Sequence, residues 1–240
     1  MIYTITSISL AMTLMMSAPQ EAYQLIQSVK FSSPDTRVMH RAELFGPIIR
    51  FPQGMVLKID GKVVGRIESG NAMSRIMLGD VTNDRLDEVF LFQNSFGSAG
   101  AMGLTVYSLV DNDWKPIFTS SSVTTGNDKE RFNSEYAGNK RIRFYDQGTG
   151  LSGVLDMSVS PFPEERLRMM RFQTDPISEI VVHYENMDCI IETVQWIFAF
   201  SHPNAAFSVH NFYLYNYVKR KFLLYETKMQ DTKGVILARK

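Results

Sequence analysis

The sequence predicts a mainly β protein of antiparallel hairpins, propeller-like or sandwich-like, with one N-terminal α-helix. Three observations carry that reading. Short apolar runs rich in β-branched and aromatic residues recur along the chain, and turn residues bound them, as at Asp60-Gly61 and Asp111-Asn-Asp113. Aromatics are abundant, with 16 Phe and 10 Tyr, and such side chains pack well on a pleated, half-buried surface. One long stretch, residues 17–30, instead repeats its apolar side chains at helical spacing.

In that stretch Ser17 suits the N-cap, Pro19 the first turn and Gln20 the capping-box position. Ala22, Leu25, Ile26 and Val29 then form one stripe, and Phe31-Ser-Ser-Pro-Asp35 ends it. Residues 55–59 and 62–67 flank Asp60-Gly61, a two-residue hairpin signal because both positions tolerate positive φ. Strands follow at 76–78, 88–93, 104–110 and 115–118, the last two joined by Asp111-Asn-Asp113. Residues 120–139 are rich in Ser, Thr, Gly and Asn and read as a surface loop or linker. Gln147-Gly-Thr-Gly150 separates strands at 141–145 and 153–159, and 164–171 reads as a short helix or turn. Strands at 180–183, 190–200, 208–218 and 222–227 complete the chain.

At 240 residues the chain is long enough to bury a sizeable core. Residues 1–18 read as a signal peptide or an apolar N-terminal segment, because Met1 to Gln20 carries no charge. No Lys or Arg precedes that apolar run and Pro19 follows its cleavage context, so a buried element in an intracellular protein is the other reading. Residues 19–240 read as one β-rich domain, with two degenerate halves at 45–120 and 140–235 as an alternative. The halves are suggested by Asp87–Val110 and Asp188–Tyr225, each an acidic residue, an apolar strand, a small-residue turn and an aromatic strand. Basic and acidic residues number 25 each, so no global field draws the protein to nucleic acid or anionic lipid. Cys189 is the single cysteine, which excludes an intrachain disulfide, and it reads as a small buried hydrophobe.

The stretch richest in chemistry is Asp80-Val-Thr-Asn-Asp-Arg-Leu-Asp-Glu-Val89. Asp80, Thr82, Asp84 and Glu88 offer side-chain oxygens and Leu86 a backbone carbonyl, the hard-oxygen pattern with which a short loop wraps Ca²⁺. The motif resembles the Asp-x-Asn-x-Asp-Gly-x-x-Asp/Glu loop of FG-GAP/VCBS repeats, over residues 78 to about 118. That resemblance implies a structural Ca²⁺ held by Asp80, Thr82, Asp84, Leu86 and Glu88, and a secreted or cell-surface protein. Two departures stand out: Thr82 where the family has Asn or Asp, and Arg85 where it has Gly. Glycine supplies positive φ at little steric cost, so Arg85 predicts a strained or rearranged loop. The competing reading is a capped turn whose carboxylates accept from backbone N–H groups and hold no metal.

Other constellations are weaker. His40, His183, His202 and His210 include no HExxH pair and read as solvated or capping, although His202 and His210 flank one predicted turn. No Gly-x-Ser-x-Gly elbow and no phosphate loop occur, so the sequence names no catalytic residue. A basic cluster ends the chain at Lys219, Arg220, Lys221, Lys228, Lys233, Arg239 and Lys240. Tyr213, Tyr215 and Tyr217 share one strand face beside it, which reads as cross-strand packing or as a contact surface for a protein or carbohydrate ligand. Balanced charge speaks against nucleic acid. The sequence thus predicts an exported, non-enzymatic β-rich binding or structural module. A polysaccharide- or cell-wall-acting hydrolase and an intracellular interaction domain are the alternatives.

Overall fold

The computed structural model describes residues 23–47, 54–67, 73–94, 101–120, 131–185, 188–200 and 204–240. They form four antiparallel sheets, whose strands are hydrogen-bonded in chain order. Sheet I holds β1 (Tyr23–Ser32), β2 (Met39–Pro47), β3 (Met55–Ile59) and β4 (Lys62–Ile67). Sheet II holds β5 (Arg75–Gly79), β6 (Glu88–Asn94), β7 (Met102–Val110) and β8 (Asp113–Ser120). Sheet III holds β9 (Phe132–Gly138), β10 (Arg141–Asp146) and β11 (Ser152–Asp156), and α1 (Glu164–Arg168) follows it. Sheet IV holds β12 (Phe172–Glu185), β13 (Asp188–Ala199), β14 (Ala205–Asn216), β15 (Lys221–Asp231) and β16 (Ile236–Arg239).

The mainly β reading is correct, and the tight turns explain why its hairpins were legible. Asp60 and Gly61 take φ of 51° and 79°, and Asp111 and Asn112 take 54° and 62°. Both pairs give the twist that matches flanking right-handed strands.

Three apolar clusters hold the sheets together. The first joins sheets I and II through Leu44, Leu57 and Ile59 against Val89 and Leu91. The second joins sheets II and IV through Phe90, Phe92 and Val106 against Ile180, Cys189 and Ile191. The third joins sheets III and IV through Ile142 and Phe144 against Ile197, Phe207 and Val209, with Leu167 of α1. Strand β6 therefore buries both faces, which is why its sequence is a continuous apolar run rather than an alternation. One face of the long strand β13 meets sheet II at Ile191 and sheet III at Ile197. Between them that face is polar: Arg131 pairs with Asp146 at 2.8 Å and donates to Gln195 Oε1 at 2.7 Å.

Over its described part, the expected N-terminal helix is a strand. Residues 23–30 belong to strand β1, and residues 17–22 lie outside the described residues, as does the apolar segment 1–18. The register explains the misreading. Leu25 pairs with Phe45 and Gln27 with Leu44, so Ile26 is an extra residue in a β-bulge. The bulge sets two apolar residues side by side, and Leu25-Ile26-Val29 then mimics a helical stripe. Pairing with β2 and burial of Phe31 decide in favour of strand, a tertiary override of local pattern. Strand β9 lies in the stretch read as linker; only Phe132 of its side chains is buried, so its polar residues hid it.

Candidate functional site

The acidic loop leaves β5 at Gly79 and enters β6 at Glu88. Two apolar side chains plug it into the core on either side. Val81, 1% exposed, joins the cluster between sheets II and IV, and Leu86 joins the cluster between sheets I and II. The loop makes its sharp turns at Asn83 (φ 57°) and Arg85 (φ 66°). Arg85 therefore adopts the conformation expected of a glycine, which costs an L-residue roughly 1–2 kcal/mol. Its N–H donates to Asp80 Oδ2 at 3.0 Å, and its guanidinium meets Asp35 at the surface at 3.3 Å.

Glu88 is the inner anchor, at 1% exposure. Its Oε2 accepts from the N–H groups of Val81 at 2.7 Å and Thr82 at 3.3 Å. Its Oε1 accepts from the hydroxyls of Thr82 at 3.1 Å and Ser108 at 2.9 Å. Burial raises its pKa to about 7, against the opposing pull of the Val81 N–H and the Ser108 hydroxyl, with Asp84's charge adding to the rise. Burial and then the charge of Asp80 raise Asp87 as well. Asp84 Oδ1 accepts from the Leu86 N–H at 2.9 Å, a side-chain turn of the Asx kind. Asp80 Oδ1 is buried with no hydrogen-bond partner.

The five residues singled out in the sequence are thus brought into one loop but not into one cage. Asp80 and Asp84 turn to the loop's own N–H groups, while Thr82 and Glu88 bond each other beneath it. Among the described residues, no three His, Cys, Asp or Glu side chains are grouped to hold a metal. The loop's neighbours are phenolic. Tyr217 Oη accepts from Asn83 Nδ2 at 2.5 Å. A Cβ on Gly79 would fall against the Tyr184 hydroxyl, so the glycine here is a close-approach position. Burial, with the charges of Cys189 and Glu88 next, pushes Tyr184 up to about 12. Burial likewise pushes Cys189 to about 12, leaving a protonated, inert thiol as expected of a buried cysteine.

The histidines are organised more closely than the sequence suggested. His40 is buried between the rings of Phe31 and Trp114, with centroids 5.4 and 5.6 Å away. Its Nδ1 donates to Asp60 Oδ2 at 2.8 Å, and Trp114 Nε1 donates to the same oxygen at 3.3 Å. Asp60, the first residue of the β3–β4 turn, also accepts from Arg41 N–H at 2.9 Å. A cavity of about 180 Å³ opens beside this network, lined by His40, Asp60, Lys62, Asp113 and Trp114. A second cleft of about 390 Å³ lies where the segment after β11 meets the β15–β16 turn.

On the opposite face of sheet IV, His183 Nε2 and His210 Nδ1 donate to the two oxygens of Glu192, each at 2.7 Å. Ser208 Oγ and His210 Nε2 are hydrogen-bonded at 2.8 Å. Ser208, His210 and Glu192 therefore repeat the connectivity of a nucleophile, base and orienting acid. Ser208 is 3% exposed, which keeps its hydroxyl from a substrate. His202 lies outside the described residues. The signal available in the sequence was polar residues at alternate positions of apolar strands: Glu192 in β13, and Ser208 and His210 in β14.

Of the two readings of the tyrosine face, Tyr213 and Tyr215 follow packing rather than a contact surface. Tyr213 and Tyr215 pack into the core, Tyr213 on Phe118 at 5.0 Å and Tyr215 on Phe222 at 5.4 Å. Tyr217 alone of the three is exposed. No helix among the described residues is long and apolar enough to cross a membrane. The sequence matches no protein-family model and no curated protein.

Proposed function

We propose that this chain is an exported, non-enzymatic β-rich binding or structural module whose loop from Asp80 to Glu88 takes up Ca²⁺ as a staple between sheets. The observation that supports it best is Asp80 Oδ1, a carboxylate oxygen buried without a partner. Leaving a buried acceptor unpaired costs about 1–3 kcal/mol, and a cation would remove that cost. Asp87 and Glu88 are raised first by burial, and the charges of Asp80 and Asp84 add to the rise, a smaller repulsion that a cation would relieve. All donors in the loop are hard oxygens, which select Ca²⁺ over soft transition metals. Asp80 and Asp84 would be the charged ligands, with Thr82 and the Leu86 carbonyl completing the set. Glu88 would add its charge from beneath. The uncharged apolar stretch from Met1 to Gln20 supports export. The burial of Ser208 argues against its use as a nucleophile and so favours a binding role over hydrolysis.

The test is thermal unfolding with millimolar Ca²⁺ and with EGTA, beside Asp84→Ala. Affinity of the extracellular kind, ~10⁻⁴–10⁻³ M, is expected. At about 5 mM Ca²⁺, roughly five to fifty times that Kd, binding stabilises a fold by about 1–2 kcal/mol, on the order of a 2–9 °C rise in Tm for a chain of this size. Asp84→Ala should abolish the rise. Coincident melting curves in Ca²⁺ and EGTA would overturn the calcium assignment.

A further inference from the structure

The turn joining β14 to β15 brings exposed apolar and basic side chains together, although Tyr217 also meets Asn83 and the Tyr215 ring. Its residues 217–220 project beyond Tyr215 and Phe222, which are buried in the cluster between sheets II and IV. Asn216 Oδ1 accepts from the Lys219 N–H at 2.8 Å, and Arg220 turns the chain back at φ 49°. The tip is therefore a shaped turn on a rigid base. It exposes apolar side chains: Tyr217 at 49%, Val218 at 93%, Leu224 at 54% and Tyr225 at 64%. Tyr225 is the extra residue of a bulge, since Phe212 pairs with Glu226 and Tyr213 with Leu224. Between these apolar groups stand Lys219, Arg220 and Lys221, all exposed. None of the three forms a salt bridge with an acidic side chain among the described residues. Lys228, farther down β15, differs: it is paired with Glu226 at 3.1 Å and lies over Phe212.

We propose that this hairpin tip docks the protein onto an anionic lipid surface. The chemistry is complementary in two ways. Val218, Leu224 and the rings of Tyr217 and Tyr225 suit the boundary between headgroups and acyl chains, where tyrosine is enriched because its ring is apolar and its hydroxyl polar. Lys219, Arg220 and Lys221 meet the negative headgroup layer, each contributing about fivefold to partitioning. The anchor is peripheral, needs no membrane-spanning element, and accounts for three cations with no acidic partner among the described residues beside exposed apolar side chains. The chain's balanced total charge does not oppose it, because screening confines the attraction to groups within about 10 Å of the surface. The acidic loop is the opposing neighbour, tied to the tip through Asn83 and Tyr217.

The experiment is vesicle co-sedimentation of the full chain, in EGTA so that the result does not depend on the calcium reading. Phosphatidylcholine vesicles are compared with mixed phosphatidylcholine–phosphatidylglycerol vesicles, at low and high salt. Wild type should sediment with the mixed vesicles only, and less at high salt. Lys219→Glu combined with Lys221→Glu should reduce partitioning by more than about tenfold, and Val218→Asp should reduce it as well. Val218→Thr keeps the charge unchanged and should also weaken binding, which separates the apolar contribution from the electrostatic one. Circular dichroism melting of these surface variants should match wild type. Equal binding to both vesicle types, or variants that bind as wild type does, would overturn the proposal. So would binding of a single-stranded oligonucleotide through the same residues with no vesicle binding, which would make the tip a polyanion contact instead.

Discussion

Replacing Glu88 by glutamine should stabilise this protein above neutral pH in the absence of Ca²⁺, although it removes the most enclosed acid of the acidic loop. The folded pKa of about 7 against a reference of 4.5 means that the fold prefers the protonated carboxyl. A raised folded pKa contributes stability that is complete below the unfolded value and is lost as pH rises through the folded one. The two values differ by enough to cost about 3 kcal/mol once pH exceeds 7. The introduced amide can reproduce the protonated pattern. Its carbonyl takes the place of Oε2, accepting from Val81 and Thr82 N–H, and its NH₂ donates to the hydroxyls of Thr82 and Ser108, which rotate to accept. Urea unfolding in EGTA should therefore show wild type losing stability between about pH 4.5 and pH 7, with Glu88→Gln losing far less over that window. Near pH 8 the variant should be more stable by about 1–3 kcal/mol, the transfer cost less imperfect amide geometry. Parallel profiles, or a variant less stable than wild type near pH 8, would refute this reasoning.

Two further predictions test the packing between sheets. Asp146 is fully buried, bridged to Arg131 through both oxygens, and accepts from Gly148 N–H and the Thr149 hydroxyl. Asp146→Ala leaves an uncompensated guanidinium between sheets III and IV and should cost about 3–5 kcal/mol in urea unfolding; a loss under about 1 kcal/mol would show that solvent reaches the pair. A Cβ on Gly65 would overlap the hydroxyl of Tyr107, itself 6% exposed and unable to swing away. Gly65→Ala should cost about 1–3 kcal/mol, Tyr107→Phe should restore part of it, and additive effects in that double-mutant cycle would deny the contact.

What the sequence disclosed was local and periodic. The β3–β4 hairpin was legible to the residue because Asp60-Gly61 carries its own turn geometry. The apolar run of β6 was legible as a buried strand, though not that it separates two cores, since one face meets Leu57 and the other Cys189 only through distant pairings. The acidic loop was found, but the inward turn of Glu88 was not. Its signal was the pair of apolar residues, Val81 and Leu86, set inside an acidic run, which anchor the loop on both sides. The networks of His40 with Asp60 and of Glu192 with two histidines were illegible, because each joins strands whose adjacency is a tertiary fact.

Set together, the carboxyls predict a stability maximum on the acid side of neutrality, and their opposite signs are the reason. Burial would raise Glu192, but hydrogen bonds from His210 and His183, with their positive charge, outweigh it and hold the carboxyl below its ordinary range. Burial would raise Asp60 too, and hydrogen bonds from His40, Arg41 N–H and Trp114 reverse the effect. A lowered folded pKa contributes stability that is present above the unfolded value and is lost as pH falls through the folded one. The unfolded values are 4.5 for Glu192 and 3.8 for Asp60, so both groups give full support near pH 5 and withdraw it in stronger acid. Glu88 does the reverse, withdrawing support from its unfolded 4.5 up to about 7. In EGTA the two slopes should therefore meet in a maximum at about pH 5, at the acid edge of the usual range of about pH 5–8 for globular proteins, by virtue of Glu88 with the raised Asp87 beside it. Glu88→Gln should broaden that maximum toward neutrality while leaving the acid limb in place. Ca²⁺ in the loop would do the same by favouring the charged carboxylates, so a wild-type profile unmoved by both changes would show that the loop governs neither the metal nor the pH response.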